Sequence, residues 1–291
     1  MPLSLWDAAS IAAKTLTYAA TLGAAGAVFF LAVCGPLIAG GDRPRIRSVV
    51  VGLAVLSVFA GGAQILVSAG SMADDAAGLW EGSLIRMVWQ AGAGRANAIR
   101  AIGLLLAALG VWSARPPWWA LLGAAMAATS FAWTGHARAL HPDVLPVMLV
   151  SAHLVGIAFW LGALAPLLIV SRNGDVSRIA ATAARFGSAA VFVVGGLMAA
   201  GVALLWMLLG DVTALWSSAY GRSVMLKLAF VGCLLCFAAF NKLRLTPRLR
   251  AGDSRAVRSL RTSIRFEMIL GAVILAVTAG LTTLFGPPAL G

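Results

Sequence analysis

Long apolar runs separated by short polar and basic segments make up most of the chain. A helix crossing the hydrocarbon of a membrane needs about 20 apolar residues. Eight segments meet that length to within a few residues: 15–39, 47–70, 96–113, 117–134, 146–170, 186–209, 222–240 and 265–285. The third and fourth are joined at Arg115-Pro116-Pro117, a turn that cannot continue a helix. The pattern predicts an all-α integral membrane protein with eight transmembrane helices.

Composition agrees. Of 291 residues, 61% are apolar and 11% charged, and the mean hydropathy is +0.94. Soluble domains run at about 45–50% apolar and roughly 25% charged, so a water-soluble globule is excluded. The 32 glycines and 10 tryptophans suit closely packed helices with aromatic girdles at the membrane interfaces. The run 15–39 is too long for the apolar region of a cleavable signal peptide. Three cysteines in apolar stretches suggest no disulfide framework.

A net charge of +12 would ordinarily raise the question of nucleic acid. Its distribution answers no, because the segments 40–47, 114–116, 171–185 and 240–265 hold 15 of the 22 Lys and Arg. The opposite side carries Asp74, Asp75, Glu81, Asp143 and Asp211. The positive-inside rule then puts both termini in the periplasm and the basic loop 240–265 in the cytoplasm. After an N-cap at Asp253-Ser254, Arg255, Arg258, Arg261 and Arg265 recur at helical spacing opposite Val257, Leu260 and Ile264. This predicts a basic amphipathic helix on the inner leaflet, suited to anionic lipid, with Glu267 in an ion pair among the basic residues.

Two short matches point to an internal repeat. Gly94-Arg95 with Arg100 opens the third span, and Gly221-Arg222 with Lys227 opens the seventh, an offset of 127 residues. Pro36-Leu37 recurs as Pro166-Leu167 at an offset of 130. Four spans per half give both halves one topology, so the prediction is a single membrane domain of two parallel four-helix repeats, 1–134 and 135–291. Transport folds are often built this way, with the site where the halves meet.

All three histidines, His136, His141 and His153, fall on the hairpin between the fourth and fifth spans. His136 ends the fourth span, His141 lies in the outer loop, and His153 is about 10 Å into the fifth at ~1.5 Å per residue. They can converge on one outward-facing pocket, and neutral imidazole is a good ligand for copper, zinc and nickel. The other reading makes His136 and His141 ordinary interfacial residues and His153 a partner of a neighbouring helix. Sulfur lies nearer the inner side: Cys34 in the first span, and Cys233 and Cys236 at i, i+3 in the seventh. Thiolates suit Cu(I) and would form an inner copper path; small apolar packing residues are the alternative. Gln64, Arg100, Arg222 and Lys227, with Arg95, sit toward the outer ends of spans and, together with His153 and Trp160, suggest a polar vestibule, with snorkelling as the alternative for the charged residues. There is no Walker A loop, H-E-x-x-H, G-x-S-x-G or C-x-x-C-H, and three histidines on one face cannot ligate a transmembrane dihaem, so no enzyme is predicted.

The run Thr134-Gly135-His136-Ala137, then His153 with Trp160-Leu161-Gly162 and Pro166-Leu167, resembles the copper resistance protein D family of bacterial inner-membrane proteins. Tyr220-Gly221-Arg222 with Lys227, and Asn241-Lys242-Leu243-Arg244-Leu245-Thr246-Pro247, also resemble it. The resemblance implies an eight-span protein that handles copper, usually by moving it inward. It also implies a small periplasmic copper-binding partner, expected here as a separate chain. By this resemblance His136 and His153 match family histidines, Trp160, Arg222, Lys227 and Asn241 match motif positions, and His141 lies in a more variable loop. Copper import from periplasm to cytoplasm is the leading expectation. A non-conducting membrane protein that binds copper or docks its periplasmic carrier is the second, and a membrane redox protein a third. Transport calls for a continuous line of ligands across the membrane; docking needs only the outer pocket.

Overall fold

A computed structural model describes residues 4–113, 115–133, 144–173, 175–209, 211 and 213–285. His136 and His141 lie outside these residues. The helices are α1 (Leu5–Cys34), α2 (Arg43–Ala73), α3 (Gly82–Val88), α4 (Gly94–Gly110), α5 (Trp118–Thr129), α6 (Val144–Gly162), α7 (Leu164–Asn173), α8 (Val176–Leu209), α9 (Ala214–Ser217), α10 (Ala219–Phe240), α11 (Thr246–Arg250) and α12 (Ser254–Leu284). No strand occurs among the described residues. Six helical segments are long and apolar enough to cross a membrane: Leu5–Leu37, Arg43–Ala73, Val144–Arg172, Val176–Leu209, Ala219–Arg250 and Ser254–Leu284. The third and fourth expected spans coincide with α4 and α5, which are shorter at 17 and 12 residues.

Several helices run past the apolar segments that predict them. A capping box starts α1 well before residue 15: Ser4 Oγ accepts from the Asp7 N–H at 3.0 Å, and Asp7 Oδ2 from the Ser4 N–H at 3.1 Å. α8 begins at Val176 because Ile179, Ala180, Ala183 and Phe186 make a buried stripe, while Arg178 stays exposed. The fifth expected span is broken at Ala163, where Pro166 has no N–H to offer the Gly162 carbonyl. Single turns of π-helix occupy Trp89–Ala93 and Asn241–Leu245.

α1 is the axis of the molecule, packed against α2, α4, α5, α6, α8 and α12. Two thirds of its apolar window (67%) is buried, against 11% for α10. The crossing with α6 is made backbone to backbone. A Cβ on Gly26 would lie 1.8 Å from the Ala158 carbonyl oxygen and 2.6 Å from Gly162 Cα, and one on Gly162 would lie 2.5 Å from the Leu22 carbonyl oxygen. α4 and α5 meet in the same manner at Gly103 and Gly123, where each glycine would clash with the other's carbonyl. Small residues permit such contacts where lipid leaves helices no hydrophobic drive to associate. Outward, Phe59, Phe192, Leu105 and Val202 are exposed, as lipid-facing side chains are, and Trp112, Trp118, Trp206 and Trp216 stand exposed toward helix ends.

The basic residues at one end of the bundle finish its helices. Carbonyls in the last turn of a helix have no partner within it, and a cation there is also favoured by the helix dipole. Arg43 Nη2 donates to the Gly35 carbonyl at 2.8 Å, just past α1, and Arg185 donates to that of Val33. Arg47 Nε donates to the Val111 carbonyl at 2.8 Å, beyond α4, with its guanidinium 5.3 Å from the Trp112 ring centroid. Arg261 donates to the Ser171 carbonyl near the end of α7, with Nε at 2.8 Å.

The expected basic helix is the first part of α12, and its N-cap is Asp253, which accepts from the Arg255 N–H at 2.9 Å. Val257, Leu260 and Ile264 are buried; Arg255, Arg258 and Arg265 are exposed. Arg248 also pairs with Asp253 at 2.6 Å, and this hydrogen-bonded guanidinium holds the carboxyl below the usual range. The ion pair expected for Glu267 is not formed among the described residues. Its carboxylate accepts from the Asn241 amide instead, because the neighbouring arginines point outward or cap other helices.

Gly26→Leu or Gly162→Leu is expected to push α1 and α6 apart and cost about 1–3 kcal/mol or more. Gly35→Ala, with nothing within 4 Å of the added Cβ, is the control for a thermal melt in detergent. Arg261→Ala is expected to cost about 1.5–3 kcal/mol through its lost charged hydrogen bond, whereas Arg258→Ala stays within about 0.5 kcal/mol. Equal effects of these two arginines would mean that the helix end is not capped by Arg261.

Candidate functional site

The end of the bundle opposite the arginine caps holds the first turns of α1 and the last turns of α12. There Lys14 Nζ on α1 donates to Thr283 Oγ1 at 2.9 Å and lies 3.4 Å from the Thr282 carbonyl. One turn deeper, Arg100 of α4 is buried, only 4% exposed, with no carboxylate partner among the described residues. Its Nε donates to Ser130 Oγ at 3.1 Å and its Nη1 to Asn97 Oδ1 at 2.8 Å. Its guanidinium stands 4.1 Å from the Phe131 centroid, and Phe131 meets Tyr18 edge-on at 4.7 Å. Neutral acceptors and an aromatic face thus replace an anion, and Gly61 leaves room for Asn97, whose Oδ1 would stand 2.3 Å from a Cβ there.

His153 is part-buried on α6 and faces α8. Its Nδ1 is 3.3 Å from the Leu197 carbonyl oxygen, and a Cβ on Gly201 would stand 3.2 Å from its Cε1. A carbonyl only accepts, so in this hydrogen bond Nδ1 carries the proton and Nε2 keeps its lone pair. That is the tautomer of a metal-ligating histidine, with the second nitrogen fixed by a backbone carbonyl. Lys227 of α10 lies within electrostatic reach of the ring.

The other expected site residues are dispersed. Gln64 is part-buried on α2, and Trp160 is buried in the core of α6 at 4% exposure. Arg222 is exposed at the start of α10, with Nη1 3.4 Å from the Trp216 carbonyl. Cys34 is buried, its Sγ 4.0 Å from the Thr182 carbonyl of α8. Cys233 and Cys236 share one face of α10 as their spacing requires, and that face is exposed. The structure therefore does not bring Cys34 together with the other two thiols. Among the described residues no cluster of three metal-ligating side chains occurs. A cavity of about 690 Å³ opens at the arginine-capped end, lined by Leu37, Ser188, Arg185 and Arg250, away from His153.

Lys14, Tyr18, Asn97, Ser130 and Thr282 were not among the expected site residues. A lone lysine within an apolar helix and an Asn at i−3 from Arg100 were the available signals; that Ser130 and Phe131 close around Arg100 depends on the α4–α5 crossing.

A helical bundle with six helices long and apolar enough to cross a membrane and a cation-lined end defines a polytopic membrane protein. The family model for copper resistance protein D matches residues 180–281, and that for the copper resistance protein D-like N-terminal domain matches residues 5–144. The chain belongs to the copper resistance protein D family. It is 29% identical over 224 residues to "Copper resistance protein D" of Pseudomonas syringae pv. tomato, covering 68% of this chain and 70% of that protein. It is 25% identical over 161 residues to "Copper transport protein CutJ" of Bacillus subtilis (strain 168), covering 54% of this chain and 28% of the relative. With "Inner membrane protein YebZ" of Escherichia coli (strain K12) it shares 29% identity over 136 residues, 45% of this chain and 46% of the other. The chain thus spans well under half the length of one relative and about half that of another. No solved structure matches it.

Arg100→Lys keeps the charge but loses the fork that reaches Ser130 and Asn97 together. It is expected to lower stability by about 1–3 kcal/mol in a detergent melt. A variant as stable as the parent would mean that this network does not hold α4 to α5.

Proposed function

We propose that the protein carries copper across the bacterial inner membrane, from periplasm to cytoplasm, with His153 and His136 as the periplasmic capture site and His141 as an auxiliary ligand. The observation that supports this most directly is the 3.3 Å contact of His153 Nδ1 with the Leu197 carbonyl, an arrangement that leaves Nε2 free to act as a ligand when Nδ1 carries the proton. Two relatives whose names specify copper transport and copper resistance agree with copper as the cargo. Lys14, Arg100 and Lys227 line the same end, so a bare cation is repelled there. Copper brought with anionic ligands, or handed over by a small periplasmic copper-binding protein, avoids that cost.

In this reading the chain crosses the bilayer eight times, with α4 and α5 as the third and fourth crossings. Both termini are periplasmic, because the arginine-capped end is the positive, cytoplasmic one. The halves 1–134 and 135–291 are parallel repeats. Their helix pairing supports this: α1 packs on α2 and α5 as α6–α7 packs on α8 and α12, and α4 on α5 as α10 on α12. α1 and α6 then occupy equivalent places on either side of the Gly26–Gly162 crossing. Cys233 and Cys236 face outward from the bundle and so stand outside the onward path, which leaves buried Cys34 as its thiol at the cytoplasmic end.

Copper uptake into proteoliposomes tests this, with a His136→Ala/His153→Ala double variant alongside. The expected outcome is uptake by the parent that falls at least tenfold in the variant. Stoichiometric copper binding without uptake would overturn transport in favour of a docking role. Uptake unaffected by the double variant would remove the histidine site.

A further inference from the structure

At the cytoplasmic end α12 carries a carboxylate that the metal path does not use. Glu267 is 2% exposed, deeper than most of the apolar residues around it. Isolated burial of an ionised carboxylate is costly, and proteins relieve it with a paired cation or by protonation. Cations are close in sequence yet none is paired with it. Lys242 Nζ donates to the Gly187 carbonyl at 2.9 Å, Arg261 caps α7, and Arg244, Arg258 and Arg265 are exposed.

The polar side chains that meet Glu267, among the described residues, are Asn241 and Ser263. Asn241 Nδ2 donates to Glu267 Oε1 from the π-helical turn Asn241–Leu245, where Thr246 Oγ1 donates back to the Asn241 carbonyl at 2.9 Å. π-turns within helices recur at functional sites. The other amide atom, Asn241 Oδ1, is buried without a hydrogen-bond partner. Ser263, one turn before Glu267 and 4% exposed, lies beside the carboxylate, but its hydroxyl makes no hydrogen bond of good geometry. A buried amide oxygen and a buried hydroxyl thus stand near a buried carboxyl, each without a hydrogen-bond partner.

We propose that Glu267, Asn241 and Ser263 form a proton-binding site between α10 and α12, in which Glu267 takes up and releases one proton. Ionised, the carboxylate accepts from the Asn241 amide N–H and the Ser263 hydroxyl. Protonated, its O–H donates to Asn241 Oδ1, and the amide turns over to present that oxygen. An amide can serve both states because it carries donor and acceptor on one planar group. An intramembrane carboxyl held off every cation and offered a two-way partner is suited to carry a proton. Resting on the transport reading, the role of this site is to couple copper movement to the proton gradient.

The test has two independent arms. In pH-difference infrared spectra of the full-length protein in lipid, a protonated-carboxyl stretch should titrate in the parent and be missing in Glu267→Gln, which preserves shape. Absence of such a band in the parent, or its persistence in the variant, overturns the proton site whether or not copper moves. In proteoliposomes an imposed proton gradient should accelerate copper uptake by the parent, and Glu267→Gln should lose that acceleration while still binding copper. Gradient-driven uptake unchanged in the variant, or driven by a sodium gradient instead, overturns coupling. A parent that shows the infrared band but moves no copper retains the proton site and rejects the transport reading alone.

Discussion

The crossing of α1 and α6 at Gly26 and Gly162 is the contact on which the rest of the bundle rests. Lipid offers helices no gain from burying apolar side chains against one another, so association depends on close packing. Backbones that approach to within a missing Cβ obtain it, and only glycine allows that approach. With α1 and α6 locked, α2 and α5 pack around α1, and α8 packs around α6. The α6–α8 contact then brings the Leu197 carbonyl to His153, and α12 sits against α1 where Lys14 reaches Thr283. The polar contacts of His153 and Lys14 are therefore downstream of a contact that contains no chemistry.

Charge is handled differently at the two ends. At the arginine-rich end the cations close helices, each donating to carbonyls at or just beyond a helix end. The clustered arginines thus complete backbone hydrogen bonding at the ends of α1, α4 and α7. At the other end Arg100 and Lys14 are satisfied by hydroxyls, an amide, a carbonyl and an aromatic ring. Glu267 is the counterpart, an anion answered by an amide while arginines stand close by in the chain. These three groups all have neutral partners.

Much of the architecture is legible along the chain because lipid imposes a simple rule. Apolar length gives the long helices, and the grouping of Lys and Arg marks the end of the bundle where arginines cap them. Asp253 caps its helix as read, and the stripe Val257, Leu260, Ile264 is buried as its spacing requires. Helix starts were less legible: α1 and α8 extend through polar turns because capping and an amphipathic stripe carry them past the hydrocarbon. Cys233 and Cys236 share a face as i, i+3 dictates, but periodicity does not say whether a face looks inward, and this one looks out.

Local sequence was sufficient for class and family, since both depend on hydropathy and short motifs within a few turns. The tautomer of His153, the unpaired state of Glu267 and the neutral shell of Arg100 depend on partners 44, 26 and 30 residues away. Such partners are chosen by which helices touch and at what rotation, and that is set by the glycine crossings. The close backbone approaches at Gly26 and Gly103 constrain those rotations, and no pattern along a single helix records them.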